Sequence, residues 1–158
     1  MTETRWLDDA EQHAWRGYLR MNTVLGAALS RQMQTESMLS MQDFEVLVHL
    51  TDVDDARLRV SELAKAMRWE KSRLSHHLSR MEKRGLIGRE ECTSDGRGAF
   101  IVLTPEGRAA IEAAAPAHVD AVRRHFFAVL TDDDLKALSS IADRVIARVE
   151  ATDTCPSE

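Results

Sequence analysis

Residues 71–87 read KSRLSHHLSRMEKRGLI, and how this stretch is read decides the fold. Leu74, Leu78 and Met81 recur at i, i+4 and i+7, the spacing that puts side chains on one face of a helix. The opposite side carries Ser72, Arg73, Ser75, His76 and Arg80, and the pattern ends at Lys83-Arg84-Gly85. A helix with one apolar and one cationic face is packed on one side and presented on the other. The chain as a whole has a formal net charge of −5, so the cationic face needs a local explanation.

Charge is unevenly distributed. From Arg57 to Arg97 there are eleven Lys/Arg against six Asp/Glu, a net of +5, and the rest of the chain carries −10. Such an asymmetry is either the footprint of a polyanion-binding surface or a merely solvated basic face. Hydrophobic residues make up 44% and aromatics only 5% of the 158 residues. That composition favours a helical core of aliphatic side chains in one domain or two small ones. No apolar run approaches the roughly 18 residues of a bilayer span. The N-terminal MTETRWLDDAEQH lacks the basic start and apolar stretch of a secretory signal. With Cys92 and Cys155 as the only cysteines, a disulfide framework is not expected and a cytoplasmic setting is.

Upstream of the opening stretch, Ser61 caps a short predicted helix, SELAKAM, whose Leu63, Ala64 and Met67 face inward. Residues 68–70, RWE, join it to the helix at 71–84, giving a helix-turn-helix. Downstream, LIGREEC (86–92) and AFIVL (99–103) flank the turn residues TSDGRG and read as a β-hairpin. RLRV at 57–60 adds a short strand. Thr104-Pro105-Glu106-Gly107 caps a following helix with proline at its first position. That helix is expected to run to Leu130, with Pro116 marking a kink or a restart. Thr131 with Asp134 caps a last helix bearing Leu135, Leu138, Ile141, Val145 and Val149. Before the basic segment, residues 8–35 form one long helix with a wide apolar surface. Ser40 with Asp43 caps another, containing Phe44, Val46, Leu47 and Leu50. The predicted fold is therefore mainly α with a small β-hairpin.

An exposed helix of this size fits the roughly 12 Å major groove of B-form DNA, where arginine bonds the two acceptors of guanine. Ser72, Arg73, Ser75, His76 and Arg80 are the candidate contacts; for His76 a base contact and a phosphate contact both remain open. Arg97, between Gly96 and Gly98, suits a narrow minor groove. Asp95 fits a turn-stabilising role through turn amides or Arg97. His77 reads as a partly buried core histidine, and Trp69 as a packing residue.

The segments VSELAKAM, KSRLSHHLSRMEKRGLIGRE and SDGRGAFIVLTPEGR together resemble the winged helix-turn-helix core of the MarR family. The Asp95-Gly96-Arg97 wing tip and Leu103-Thr104-Pro105-Glu106-Gly107 are the most specific parts. The resemblance implies a winged helix-turn-helix with N- and C-terminal dimerisation helices. Residues 1–39 and 105–158 would form the dimerisation region and 40–104 the DNA-binding lobe. It also implies a homodimeric repressor on a palindromic operator of double-stranded DNA, released by a small-molecule effector or by oxidation. A basic residue is common at the His76 position in the family and an apolar one at the His77 position, so this chain departs at both. The alternative is a winged-helix protein-interaction adaptor that does not read DNA.

Other chemistries have less support. No nucleophile–base signature or phosphate loop is present, so no catalytic residue, enzyme activity or cofactor is expected. His118 and His125 share a helix face without the clustered ligands a metal needs. Cys92 reads as a small strand residue. The family's effector pocket would draw on Trp15, Met38, Met41, Phe44 and His49, which equally read as core.

Overall fold

The computed structural model describes residues 4–91 and 99–153. Cys92, Asp95, Arg97 and Cys155 lie outside the described residues. The chain separates into two compact units, Met1–Ala121 and Val122–Glu158. No described helix is long and apolar enough to cross a membrane.

Helix α1 (Asp9–Glu36) opens on a reciprocal cap: Glu11 N–H donates to Asp8 and Asp8 N–H to Glu11, at 2.8 and 2.9 Å. It stops at Ser37, whose N–H and hydroxyl both bond the Met33 carbonyl. Of its residues only Gln32 and Met33 are buried. Helix α2 (Met41–Thr51) starts at the capping box read from sequence, with Ser40 and Asp43 bonded in both directions. It supplies Phe44, Val46, Leu47 and Leu50 to the core.

Strand β1 (Arg57–Arg59) leads directly into α3 (Val60–Met67). The cap of α3 is not Ser61, as the sequence suggested. Arg59 holds that position and its N–H donates to Glu62 at 2.9 Å. The helix-turn-helix turn is made at Arg68, which adopts a left-handed conformation (φ 51°). Trp69 N–H then closes back onto the Ala64 carbonyl. Helix α4 (Lys71–Lys83) buries Leu74, Leu78 and Met81 completely. The period-3.6 apolar stripe is thus the packing face.

Strands β2 (Ile87–Glu91) and β3 (Ala99–Leu103) pair antiparallel, and β1 adds to the far side of β3, giving the order β1-β3-β2. Leu58 and Arg89 both register with Ile101, while Arg59 and Glu90 register with Phe100. Alternation therefore turns Ile87, Ile101 and Leu103 to the core and Phe100 and Glu90 to the other face.

Helix α5 (Pro105–His125) continues through Pro116 without a break. Pro116 is exposed, so the carbonyl deprived of its N–H partner is open to water. The helix ends at His125 rather than Leu130, and Phe127–Val129 form a 3-10 turn. In the second unit, α6 (Asp132–Asp153) starts at the Thr131–Asp134 cap. None of its described side chains is buried.

Gly107 explains the motif that follows the hairpin. Thr104 donates its hydroxyl to the Gly85 carbonyl at 2.7 Å and accepts from Gly107 N–H at 3.0 Å. This clamp draws α5 so close to Leu86 that a Cβ on Gly107 would sit 2.0 Å from the Leu86 carbonyl oxygen. The obstacle is backbone and cannot rotate away. Gly107→Ala is expected to destabilise the protein by about 3 kcal/mol, the upper end of overpacking costs. Thermal unfolding checks this, and an unchanged midpoint would show that α5 does not depend on that approach.

Candidate nucleic-acid interface

Helix α4 is held from three directions, and each hold uses a residue that its exposed face does not need. At its C-terminus, Arg84 donates to Asp43 of α2 at 2.7 Å and to the Met38 carbonyl in the α1–α2 connection. In its middle, the buried His77 brings Nε2 to 3.1 Å from the other Asp43 oxygen. The N–H there is poorly aligned for a hydrogen bond, so proximity to the carboxylate is the stronger part of that contact. On the sheet side, Arg89 of β2 donates to the Ser75 carbonyl at 3.2 Å and the Ser79 hydroxyl at 3.0 Å, and pairs with Glu82 at 3.2 Å.

The His77 tautomer follows from its neighbours. Arg80 Nη2 lies 3.1 Å from His77 Nδ1. A guanidinium has no acceptor, so Nδ1 must accept and the ring proton sits on Nε2, toward Asp43. Trp69 packs edge-on against the same imidazole, with centroids 5.5 Å apart, and the Arg73 guanidinium lies 4.2 Å above the indole. Arg73 is therefore stacked before any ligand arrives, which reduces the freedom it would lose on binding.

Asp43 is 3% exposed. Burial pushes its carboxyl up, but His77, the Ser40 backbone and hydroxyl and Arg84 outweigh that effect. The carboxyl is held well below the usual carboxylate range. These contacts satisfy the buried charge locally.

Ser72, Arg73 and His76 are exposed on the outer face of α4. Arg80 is exposed too but tied to His77; Ser75 is half-buried beneath the Arg89 contact. A cavity of about 620 Å³ adjoins this face, where Arg73, His76, Arg80 and Arg84 meet Trp69, Met38 and Ser37. The five residues read as a possible effector pocket do not converge on it. Met38 lines it, Trp15 stacks on Tyr18 in a separate depression, and Met41 and Phe44 pack in or against the core. His49 is half-buried on α2. His118 packs its ring 4.8 Å from that of Phe44, and desolvation pushes its pKa down. Among the described residues no three His, Cys, Asp or Glu side chains are arranged to hold a metal.

Asp43, Arg84 and Arg89 were not singled out from the sequence as parts of the site. The Ser40–Asp43 spacing signalled a cap; nothing in it signalled a partner 41 residues further on.

Comparison with known proteins gives a consistent picture. The model of the MarR family matches residues 39–98. The helix-turn-helix transcriptional repressor YetL of Bacillus subtilis (strain 168) is 32% identical over 110 residues, which are 68% of this chain and 66% of that protein. AbsC, a MarR family transcriptional regulator from Streptomyces coelicolor, superposes with a TM-score of 0.88 at 42% identity, covering 94% of this chain and 99% of its own. Sco3205, a MarR family regulator from the same organism solved in complex with DNA, gives a TM-score of 0.87 at 42% identity, with coverages of 93% and 91%.

Replacing Asp43 by alanine should cost about 2–3 kcal/mol at neutral pH, below the range for a fully buried pair because Arg84 is partly solvated. The folded carboxyl is depressed, so its stabilisation is present above the unfolded value of about 3.9 and lost as pH falls through the folded one. Urea unfolding should find the wild-type and Asp43→Ala stabilities converging below about pH 4. A difference that stays constant down to about pH 2 would show that charge is not what Asp43 contributes.

Proposed function

The chain belongs to the MarR family of transcriptional regulators, and we propose that it is a cytoplasmic, sequence-specific repressor that binds a palindromic operator as a homodimer. One observation carries the DNA-binding part. Helix α4 is fixed by Asp43, Arg84 and Arg89, and what this leaves outward is Ser72, His76 and a stacked Arg73. A side chain read into a groove must be aimed beforehand, because a mobile arginine loses much of its gain to ordering. The DNA-bound neighbour and the repressor relative, both above 30% identity, support the same reading. Arg97 belongs to it as a minor-groove contact and Asp95 as its turn-stabilising partner, both by motif.

The homodimer rests on uncovered apolar surface. Trp15, Tyr18, Leu19, Met21 and Val24 of α1 are 42–60% exposed in the single chain. On α6, Leu138, Ile141, Val145, Ile146 and Val149 are 37–57% exposed. Apolar stripes of this extent mark association surfaces. We assign residues 1–39 and 105–158 to dimerisation and 40–104 to the DNA-binding lobe. Two-fold symmetry then asks for two half-sites roughly 10 base pairs apart, centre to centre. A small molecule seated in the 620 Å³ cavity would compete with DNA for Arg73, His76 and Arg80, a direct route to release.

Selection of bound fragments from random DNA should return an inverted repeat, and enrichment of no sequence would defeat the proposal. On the selected duplex, Arg73→Ala should cost about 1–3 kcal/mol and relax preference at one position per half-site. Arg97→Ala should weaken binding with little change in major-groove preference. Full-length protein should sediment as a dimer, and truncation before Thr131 should give monomer. A folded full-length monomer at micromolar concentration would contradict the assembly.

A further inference from the structure

We propose that the outer face of the three-stranded sheet is a second DNA-backbone surface, built from Arg57, Arg59 and Phe100. It would grip phosphates flanking the half-site. This rests on the DNA-binding reading above and extends the contact to residues that neither the helix-turn-helix nor the wing motif includes.

The face has a specific construction. Arg57 and Arg59 are two apart on β1 and so project to the same side; Phe100, registered opposite Arg59 on β3, lies between the strands' polar neighbours on that side. The two guanidinium carbons are 4.4 and 5.0 Å from the Phe100 ring centroid. Stacking on an aromatic face covers the plane of a guanidinium and leaves its N–H edges directed outward, the geometry that suits a phosphate. Asp55 and Glu90 hold Arg57 at 3.1 and 3.6 Å, yet both carboxylates are more than half exposed. Exposed pairs of this kind are worth about 0–1 kcal/mol, so a phosphate with two arginines before it can displace them. Until then they keep the cluster from carrying bare charge.

The location fits a flanking contact. Arg89, on the opposite face of the sheet, reaches Ser75 and Ser79 of α4. This face is the one turned away from α4, so with α4 in a major groove a contact on it would fall beside that groove. A contact there adds affinity without reading bases.

The test compares a minimal selected operator with the same operator extended by about six base pairs at each end, by titration over a range of salt. Wild-type protein should bind the extended duplex about five- to tenfold more tightly at 0.15 M salt, with a salt slope steeper by about 1–2. Arg57→Gln/Arg59→Gln should lose that gain and keep its affinity for the minimal duplex. Phe100→Leu, which keeps the charge, should lose part of the gain. Glu90→Gln should increase it, a result that misfolding cannot produce. A wild-type protein that binds both lengths equally, or a double variant that retains the gain, overturns this inference and leaves the operator reading standing. Failure to bind either duplex overturns both.

Discussion

A single buried anion organises the packing of α4 against α2. Asp43 receives Ser40 from its own helix and His77 and Arg84 from α4, at a site almost closed to water. A carboxylate in that position cannot be left without partners, because the cost of an uncompensated buried charge is several kcal/mol. The requirement fixes the register of α4 against α2 more tightly than apolar contact does. Leu74, Leu78 and Met81 would tolerate small slides, since apolar contact is non-directional. The Arg84–Asp43 hydrogen bond does not, since hydrogen bonds weaken steeply with angle.

This arrangement clarifies how an acidic chain presents a locally cationic face. The basic segment holds an excess of five positive charges, but the raw excess does not describe the exposed surface. Arg84 and Arg89, though partly exposed, are paired with Asp43 and Glu82, and Arg80 is bonded to His77. Three other arginines are placed on aromatic rings: Arg73 on Trp69, and Arg57 and Arg59 on Phe100. The protein divides its arginines between anchors and presented groups, and the division is made by tertiary contacts.

The sequence was most legible where physics is local. The stripe of Leu74, Leu78 and Met81, the Ser40–Asp43 and Thr131–Asp134 caps and the hairpin strands all depend on neighbours within four residues or across a short turn, and all were found where read. Local rules failed where two candidates competed. Ser61 was the better cap by residue type, but β1 runs straight into α3 and Arg59 takes the position. The helix after the hairpin ends five residues early because Phe126 leaves helical geometry, a change that the apolar spacing of Val122, Phe126 and Leu130 does not register. On the internal side of the site, the burial of His77, the packing of Trp69 and the Ser40–Asp43 cap were legible, but the pairings of Asp43 and Arg89 with other elements were not. Apart from Ser40, the partners of Asp43 and Arg89 lie 7–41 residues away, and one sequence carries no record of which distant pairs meet.

Arg84 also bonds the Met38 carbonyl, so the base of α1 is fastened to the end of α4. At 1.5 Å per residue, the 28 residues of α1 make an arm about 42 Å long. A tilt of about 5° at its base sweeps the far tip through about 4 Å. Mechanical advantage therefore runs from tip to base: a broad displacement of the arm is geared down into a fine angular adjustment where the guanidinium grips.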